Sequence, residues 1–528
     1  MTVGLFMLAA RLFQSFGAVV QPEISHPDTR QRMFPRPYIH GLGATEEQGR
    51  RPEMEDVKVA IANVESLQDC WILAIYDGHG GRQTAEALSR RLHWNFLKCL
   101  KSRALVRWQE FRQRAIFRAQ ELREFLERLE VESRQCATLS PTMIADFIGT
   151  LRLQQILEWI VRHPTPRFTG DGPRDATGFD IGSPPHYLTV CSVADIEESA
   201  KEAFAETDYE ILQRDRIIES GATACFCFVN PLLDIERILA MPAREVTQDD
   251  CDLFTITDSH SNKNSKQSSL FVRNLTVAHV GDTRAVLVFS DGEALRLTNI
   301  GDHKASDIRE VQRIERLGGK VYGDRVNGLL AIGRAFGDWD LKLSQQELVK
   351  SQSYSTSSRG VRVVRPAADT WREQQREYVV SHVPHVRSAN LSALLNGEDR
   401  GKFGWGTAMG TKACGTTKIP LALVLGCDGL FDVCSDRDVG QICAESLQWI
   451  SDHYPGTTPE GAGTAVARVL VKEAILQRGS TDNVSVQVAL LNSLEVLQGP
   501  PPPPRCPETP PHPRHASICP PPPVPARQ

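Results

Sequence analysis

The 528-residue chain lacks any apolar run approaching the roughly 20 residues that a helix needs to cross a bilayer. It also lacks a basic excess. Lys and Arg number 60 against 65 Asp and Glu, for a net charge of -5. Nucleic-acid binding proteins usually carry a basic field, so that class is not expected. No C-x-x-C pair occurs among the 13 cysteines, and Cys225 and Cys227 lie too close to form a zinc framework alone. We read the cysteines as mostly reduced thiols of an intracellular protein. The apolar start, MTVGLFMLAARLFQSFGAVVQPEI, has only Arg11 ahead of Glu23 and so lacks the basic head of a secretory signal. A mitochondrial-type presequence would usually carry more arginine. The segment reads as a packing or peripheral helix with Phe6, Ala9, Phe13 and Phe16 roughly on one face. A cytoplasmic or nuclear location is expected, with membrane-peripheral or organellar targeting left open by this segment.

What is present is ordinary for a globular protein: 41% hydrophobic and 24% charged residues. Residues 500–528 are the exception. Proline at that density cannot build a core, so a tail from 496 to 528 is expected to be extended or disordered. Its PPPPPR run fits a P-x-x-P-x-R ligand of an SH3- or WW-type groove, with Arg505 as the anchor. Ahead of the tail, β-rich runs alternate with helical stretches. LTVAHVGDTRAVLVFSDGEALRLT reads as a meander of antiparallel strands turning at Gly281-Asp282 and Asp291-Gly292. Ala85, Leu88, Leu92, Phe96 and Cys99 follow helical spacing. Ser306 is expected to open a helix with Ile308, Val311, Ile314 and Leu317 inward, closed by Gly318-Gly319. Ser435 and Asp438 form a capping-box pattern ahead of another helix.

Three segments look inserted, at about 103–190, 230–268 and 343–415. Residues 103–165 read as two charged amphipathic helices, the first striped by Trp108, Phe111, Ala115, Leu122, Phe125 and Leu129. Residues 164–186 are expected to be a loop. The other two inserts read as irregular surface loops. Within the last, GWGTAMGTK suggests a phosphate loop, but Thr411 separates Gly410 from Lys412 where a Walker loop needs them adjacent.

Acids recur where apolar runs stop. Glu55 and Asp56 precede a strand, Asp77 and Asp428 end strands, Asp338 follows an apolar segment, and Asp482-Asn483 precede the last strand. A single Asp-Gly is a common turn pair. Five sites together are a different matter, because carboxylates gathered at strand ends repel one another unless a cation neutralises them. Oxygen-only ligands select hard divalent ions such as Mg²⁺ or Mn²⁺.

In chain order, the blocks RRPEMED, DGHGG, SGATA, GDTRAV, LTNIGDHK, RVNGLLAIGRAFGD, DGLFDV and TDNVSV resemble those of the metal-dependent PP2C (PPM) protein serine/threonine phosphatases, over about residues 40–492. The resemblance implies an α+β fold, an α-β-β-α sandwich of two antiparallel sheets flanked by helices. It implies a phosphatase-like domain over 38–495, with an N-terminal extension over 1–37. It further implies hydrolysis of phosphoserine or phosphothreonine by a water bridging two Mg²⁺ or Mn²⁺ ions, with room for a third. Asp77 would bridge the two metals. Asp56 and the Gly78 carbonyl would serve one of them, with Glu55 acting through water. Asp338 and Asp428 would serve the other, and Asp282 with Asp338 a weaker third site. Arg51 would bind the substrate phosphate and His79 would protonate the leaving oxygen. Phosphoprotein substrates, a monomeric state and no integral membrane span are the matching expectations.

The chain departs from that pattern in three places. LTNIGDHK carries extra residues, Gly333 stands where serine is common, and Gly426-Cys427 replaces a more usual Ala-Ser. None of these removes a proposed metal ligand. The alternative is a catalytically weak or inactive relative acting as a scaffold through its inserts and tail. Other phosphatase chemistries read poorly, because the chain has no His-Cys pair for H-C-x₅-R and no G-D-x-H-G or G-N-H-E block. It also lacks a kinase's Gly-rich loop followed by a strand lysine.

Overall fold

Strict alternation builds the first sheet. In β15 (Val484–Leu490), Val484, Val486, Val488 and Leu490 point to one face, and Ser485, Gln487 and Ala489 to the other. A computed structural model describes residues 39–135, 140–168, 185–217, 219–246, 270–342, 378–391, 419–492 and 494–497. In it β15 sits between β1 (Gly41–Glu47) and β14 (Pro420–Gly426), and the sheet continues through β8 (Arg284–Phe289) to β9 (Ala294–Arg296). The second five-stranded sheet runs β13 (His385–Asn390), β7 (Phe271–Val280), β6 (Ala224–Leu233), β3 (Trp71–Tyr76) and β2 (Val57–Ala62). Every pairing in both is antiparallel.

The sheets pack face to face. Leu287, Leu423, Leu425 and Ala489 of the first share one core with Leu73, Cys227 and Val277 of the second. Gln487 also donates from its side chain to the Val59 carbonyl at 3.1 Å, across the interface. The alternate residues of the first sheet, Val286, Val288, Val424 and Val486 among them, form a separate core under two helices, Asp436–His453 and Pro459–Lys472. Helices also cover the outer face of the second sheet: α1 (Gln83–Gln135) and α3 (Val193–Glu210), with α2 (Pro141–Arg162) packed on α1. The layers are therefore helix, sheet, sheet, helix, the expected α+β sandwich.

Several sequence expectations need correction. The meander is split: β8 pairs with β9, but β7 belongs to the other sheet, so Gly281-Asp282 crosses between sheets instead of closing a hairpin. Both flanking runs are apolar, and alternation cannot say which sheet each joins. The helix over Ala85–Cys99 does not stop before the first insert. It continues as one 53-residue helix to Gln135, because nothing between Cys99 and Trp108 breaks it. Its expected stripe holds for Trp108, Phe111, Ala115 and Leu122, while Leu126 rather than Phe125 is buried. Trp108 anchors α1 to α2 by donating to the His163 carbonyl at 2.8 Å. The helix expected to open at Ser306 is α4 (Ile308–Arg316), capped by Asp307. Ile308 is exposed, but Ile314 is buried and Leu317 packs against the same cluster as expected, with Glu310 and Arg313 buried beside them. Residues 230–233 complete the buried strand β6, and β13 lies inside the segment read as a 343–415 loop. The capping box at Ser435 and Asp438 forms with both reciprocal bonds.

The N-terminal segment 1–38, the GWGTAMGTK stretch, most of the 164–186 stretch and the proline-rich run lie outside the described residues. Among those described, no helix is long and apolar enough to cross a membrane.

Candidate active site

A third, small sheet gathers three of the sequence blocks. Gly78–His79 (β4) and Phe336–Gly337 (β12) both pair with Gly221–Ala222 (β5). DGHGG, SGATA and RAFGD thus meet at one end of the sandwich. Gly221 is required there: a Cβ would lie 2.1 Å from Asp338 Oδ2 and 2.3 Å from His79 Nε2. Around it, Ser220 Oγ donates to the Gly81 carbonyl at 2.7 Å and Thr84 Oγ1 to the Ser220 carbonyl at 2.8 Å. These bonds fix the glycine turn that feeds α1.

The carboxylates converge at the same end. Side-chain oxygens of Asp77, Asp282 and Asp428 lie within 4.8 Å of one another, as do ligand atoms of Asp56, Asp77 and Cys427. Asp77 leaves β3, Asp428 leaves β14, and Asp282 sits at the crossing between β7 and β8. Burial and mutual repulsion raise these carboxyls above the usual carboxylate range. Asp77 is pushed well up, first by burial and then by the charges of Asp428 and Asp56. Burial, then Asp282, raises Asp428 to about 8. Burial raises Asp282 to about 6 against the pull of Lys304. Asp56 is raised as well, chiefly by burial.

Asp56 supplies a test of metal fit. It is fully buried, and neither carboxylate oxygen has a hydrogen-bond partner among the described residues. A buried, unsatisfied carboxylate beside others is costly without a cation. An all-carboxylate donor set suits Mg²⁺ or Mn²⁺. Cys427 does not change that class. Its thiol donates to the Asn483 carbonyl at 3.3 Å and accepts from Ser485 N at 3.2 Å, and burial holds it protonated, well above the usual thiol range.

The other sequence candidates take distinct places. His79 Nε2 lies 2.9 and 2.8 Å from the two Asp338 oxygens. Burial opposes charging of the ring, but Asp338 overrides it, and the net result lies above an ordinary histidine. Asp338 stands in neither carboxylate group, because its oxygens face His79. Glu55 accepts from Gly81 N at 2.6 Å, holding the loop, and its own carbonyl would lie 2.7 Å from a Cβ on Gly78. Arg51 is half-exposed and pairs with Asp482 at 2.5 Å.

Sequence reasoning missed two supports. Asn483 donates to the carbonyls of Gln48 and Glu53 at 2.8 and 3.0 Å and accepts from Glu55 N at 2.8 Å, pinning the loop that carries Arg51. Asp208, on α3, reaches the backbone beside Asp338. Its sequence signal was a charge on an apolar stripe, four residues after buried Phe204 and eight after buried Ala200.

The comparisons with known proteins point one way. A family model described as Protein phosphatase 2C matches residues 236–395. Protein phosphatase 2C homolog 1 of Saccharomyces cerevisiae is 32% identical over 219 residues, covering 42% of this chain and 50% of that protein. Probable protein phosphatase 2C 27 of Arabidopsis thaliana is 29% identical over 231 residues, covering 44% of this chain and 43% of that protein. The chain thus spans half the length, or less, of these relatives. Among solved structures, a phosphatase from a pathogenic strain of Toxoplasma gondii aligns with a TM-score of 0.41 at 18% identity, covering 85% of this chain and 92% of that one. A Caenorhabditis elegans sex determining protein aligns with a TM-score of 0.42 at 17% identity, covering 87% of this chain and 66% of that one. The family model and the sequence relatives agree that this chain is similar to protein phosphatase 2C proteins.

Proposed function

We propose that the protein is a metal-dependent protein serine/threonine phosphatase that hydrolyses phosphoserine and phosphothreonine monoesters. The observation that carries this reading is the set of buried, mutually repelling carboxylates at one end of the sandwich, with Asp56 unpartnered. Asp56, Asp77, Asp282 and Asp428, with the Gly78 carbonyl that the family resemblance adds, would hold Mg²⁺ or Mn²⁺. When bound, such ions supply a nucleophilic water at neutral pH and polarise the phosphoryl oxygens.

The chain's own residues do the rest. Arg51, half-exposed at the rim and oriented by Asp482, offers a planar fork that matches two phosphate oxygens. His79, held by Asp338, keeps a proton to give to the departing serine or threonine oxygen. The family resemblance also assigns Asp338 to the metals; its contacts here favour orienting His79. Glu55 and Asn483 hold the loops that present these groups. Phosphoproteins are the substrate class, and the proline-rich tail is a candidate ligand for an SH3- or WW-type partner.

The test is phosphate release from a phosphothreonine protein by the purified chain, with and without Mn²⁺. Activity should require the cation and vanish in Asp77→Asn. Full activity in excess chelator, or equal inactivity of wild type and Asp77→Asn, would overturn the reading. His79→Ala should slow an alkyl phosphoester about 10²-fold or more while sparing an activated aryl phosphate, whose leaving group needs no proton. Equal losses on both would remove the acid role.

A further inference from the structure

The helix Asp436–His453 turns one face over a groove of about 940 Å³, bounded on its other side by the turn that joins β8 to β9. Glu445, Gln448, Trp449 and Asp452 line it from the helix, and Asp291 and Glu293 from the turn. Trp449 is 52% exposed, although tryptophan is highly buried on average. Its ring stacks on His453 at 4.8 Å between centroids and lies 5.3 Å from the exposed ring of Tyr454. Glu445 and Asp452 flank it, one helical turn to either side, and both are exposed. Glu445 accepts from Gln441 at 3.0 Å, and Asp452 accepts from Gln448 at 2.9 Å. Among the described lining residues, the acids Asp291, Glu293, Glu445 and Asp452 stand against a single cation, Arg437.

An exposed aromatic face between carboxylates suits one ligand chemistry. Proline-rich segments dock as preformed polyproline helices on aromatic-lined grooves. A flanking arginine then finds a carboxylate with its planar fork. The chain carries such a segment and delivers it to this place. Leu494 and Leu497 pack against the core beneath the same helix. Ser451 Oγ donates to the Leu494 carbonyl at 3.1 Å, and Gln448 Nε2 lies 3.5 Å from the Leu497 carbonyl. The proline run begins three residues after Leu497, at Pro500, and ends in Arg505. Five prolines in a polyproline helix span about 15 Å. From Gln448 back to Gln441 the helix rises about 10 Å. At Gln441 the β8–β9 turn comes close, since a Cβ on Gly292 would lie 3.3 Å from Gln441 Cα. The run is therefore long enough to cross Trp449 and bring Arg505 to the acids beyond it.

We propose that this groove holds the chain's own proline-rich run, residues 500–505, with the prolines over Trp449 and Arg505 paired with Glu445 and Glu293. Docked in this way, the run is withheld from an SH3- or WW-type partner, which must outcompete the groove to gain it. The short tether favours the contact, because it sets an effective concentration on the order of millimolar. The groove and Asp282 lie at opposite ends of the six-residue strand β8, roughly 20 Å apart. Docking therefore controls access to the tail and leaves the carboxylate cluster open.

The experiment follows two thiols of the tail in the full chain. Cys506 adjoins Arg505, and Cys519 lies further along and serves as the internal reference. Maleimide labelling of each is followed by mass spectrometry in wild type, Trp449→Ala, Arg505→Glu, Glu445→Arg and the double variant Arg505→Glu/Glu445→Arg. Each rate is divided by that of the same variant in denaturant, which removes the effect of neighbouring charges on the thiol. In wild type Cys506 should be protected about 10-fold relative to Cys519, as expected for a weak contact closed by a short tether. Trp449→Ala and Arg505→Glu should each abolish most of that protection, and the charge-swapped double variant should recover it. Trp449 is exposed and Arg505 lies in the tail, so the two losses do not depend on a variant that fails to fold. Equal labelling of the two thiols in wild type would overturn the proposal and leave the run open to a partner. Protection that grows with protein concentration would place the run on a second copy and overturn docking within one chain. Protection that survives both Trp449→Ala and Arg505→Glu would place the run elsewhere. The readout is chemical accessibility, so its outcome is independent of the phosphatase reading.

Discussion

Buried carboxylates occur in two regions of this molecule, and they are treated in opposite ways. At the sandwich end, Asp77, Asp282 and Asp428 face one another, and Asp56 has no hydrogen-bond partner among the described residues. In the second region each buried acid faces a cation. Asp208 has Lys342, Asp302 has Arg284 at 2.5 Å and Arg296 at 3.1 Å, and Glu310 has Arg313 and Arg334, each at 2.8 Å. The difference is clearest between Asp428 and Asp208, while burial still leaves Asp302 above the ordinary range despite its two arginines. Burial and like charge raise Asp428 to about 8. Burial would raise Asp208 as well, but Lys342 and then His382 reverse it and bring it below the ordinary range. Equal burial thus separates acids that complete the fold from acids arranged for something the chain does not supply.

That contrast can be broken most forcefully from the structural side. Asp208→Ala should lower stability by about 3–5 kcal/mol, because it leaves the Lys342 charge buried and unpaired. Denaturant unfolding of the two proteins reads this directly. An unchanged midpoint would mean that the pair contributes nothing.

On the site side the sign should invert. Asp77→Asn should cost about 100-fold or more in metal-dependent turnover, beyond what loss of a mere supporting residue does. In chelator, however, it should raise the melting temperature, since one of three facing carboxylates is gone. A lower melting temperature for this variant in chelator would contradict the repulsion argument.

Mg²⁺ or Mn²⁺ should stabilise the wild type by about 2.7 kcal/mol at a hundred times its dissociation constant. Asp77→Asn should lose most of that gain. Thermal scans with and without cation compare the two, and equal shifts would place the ions elsewhere.

Acid separates the regions again. The Asp208 carboxyl is depressed by folding, so its contribution is complete above its unfolded value of about 4 and fades as pH falls through the lower folded value. In Asp208→Asn that part of the acid-induced destabilisation should be missing. The smallest effect expected is at the helix Asp436–His453, where Ser435→Ala removes a capping box and should cost about 1 kcal/mol with activity intact.

Legibility in the sequence followed the range of the forces involved. Strand and helix stretches were readable where alternation or helical spacing was strong, as in β15 and in the α1 stripe. The split between β7 and β8 was not readable, because both strands are apolar and only packing chooses the sheet. The site acids stood out as acids at the ends of apolar runs. Asp208 did not, since a helix face shows where a charge lies but not what backbone it will meet.

The sequence alone determined which residues could meet at an active site: acids placed at the ends of strands long enough to be buried, in an order that matches one family. Only the tertiary structure decided how they divide. It drew Asp77, Asp282 and Asp428 together, turned Asp338 onto His79, and set Asp208 behind that pair. Strand ends are fixed by local pattern. Contacts between them depend on sheet order and on left-handed turns such as Gly337–Asp338, which neighbours far away in the chain hold in place.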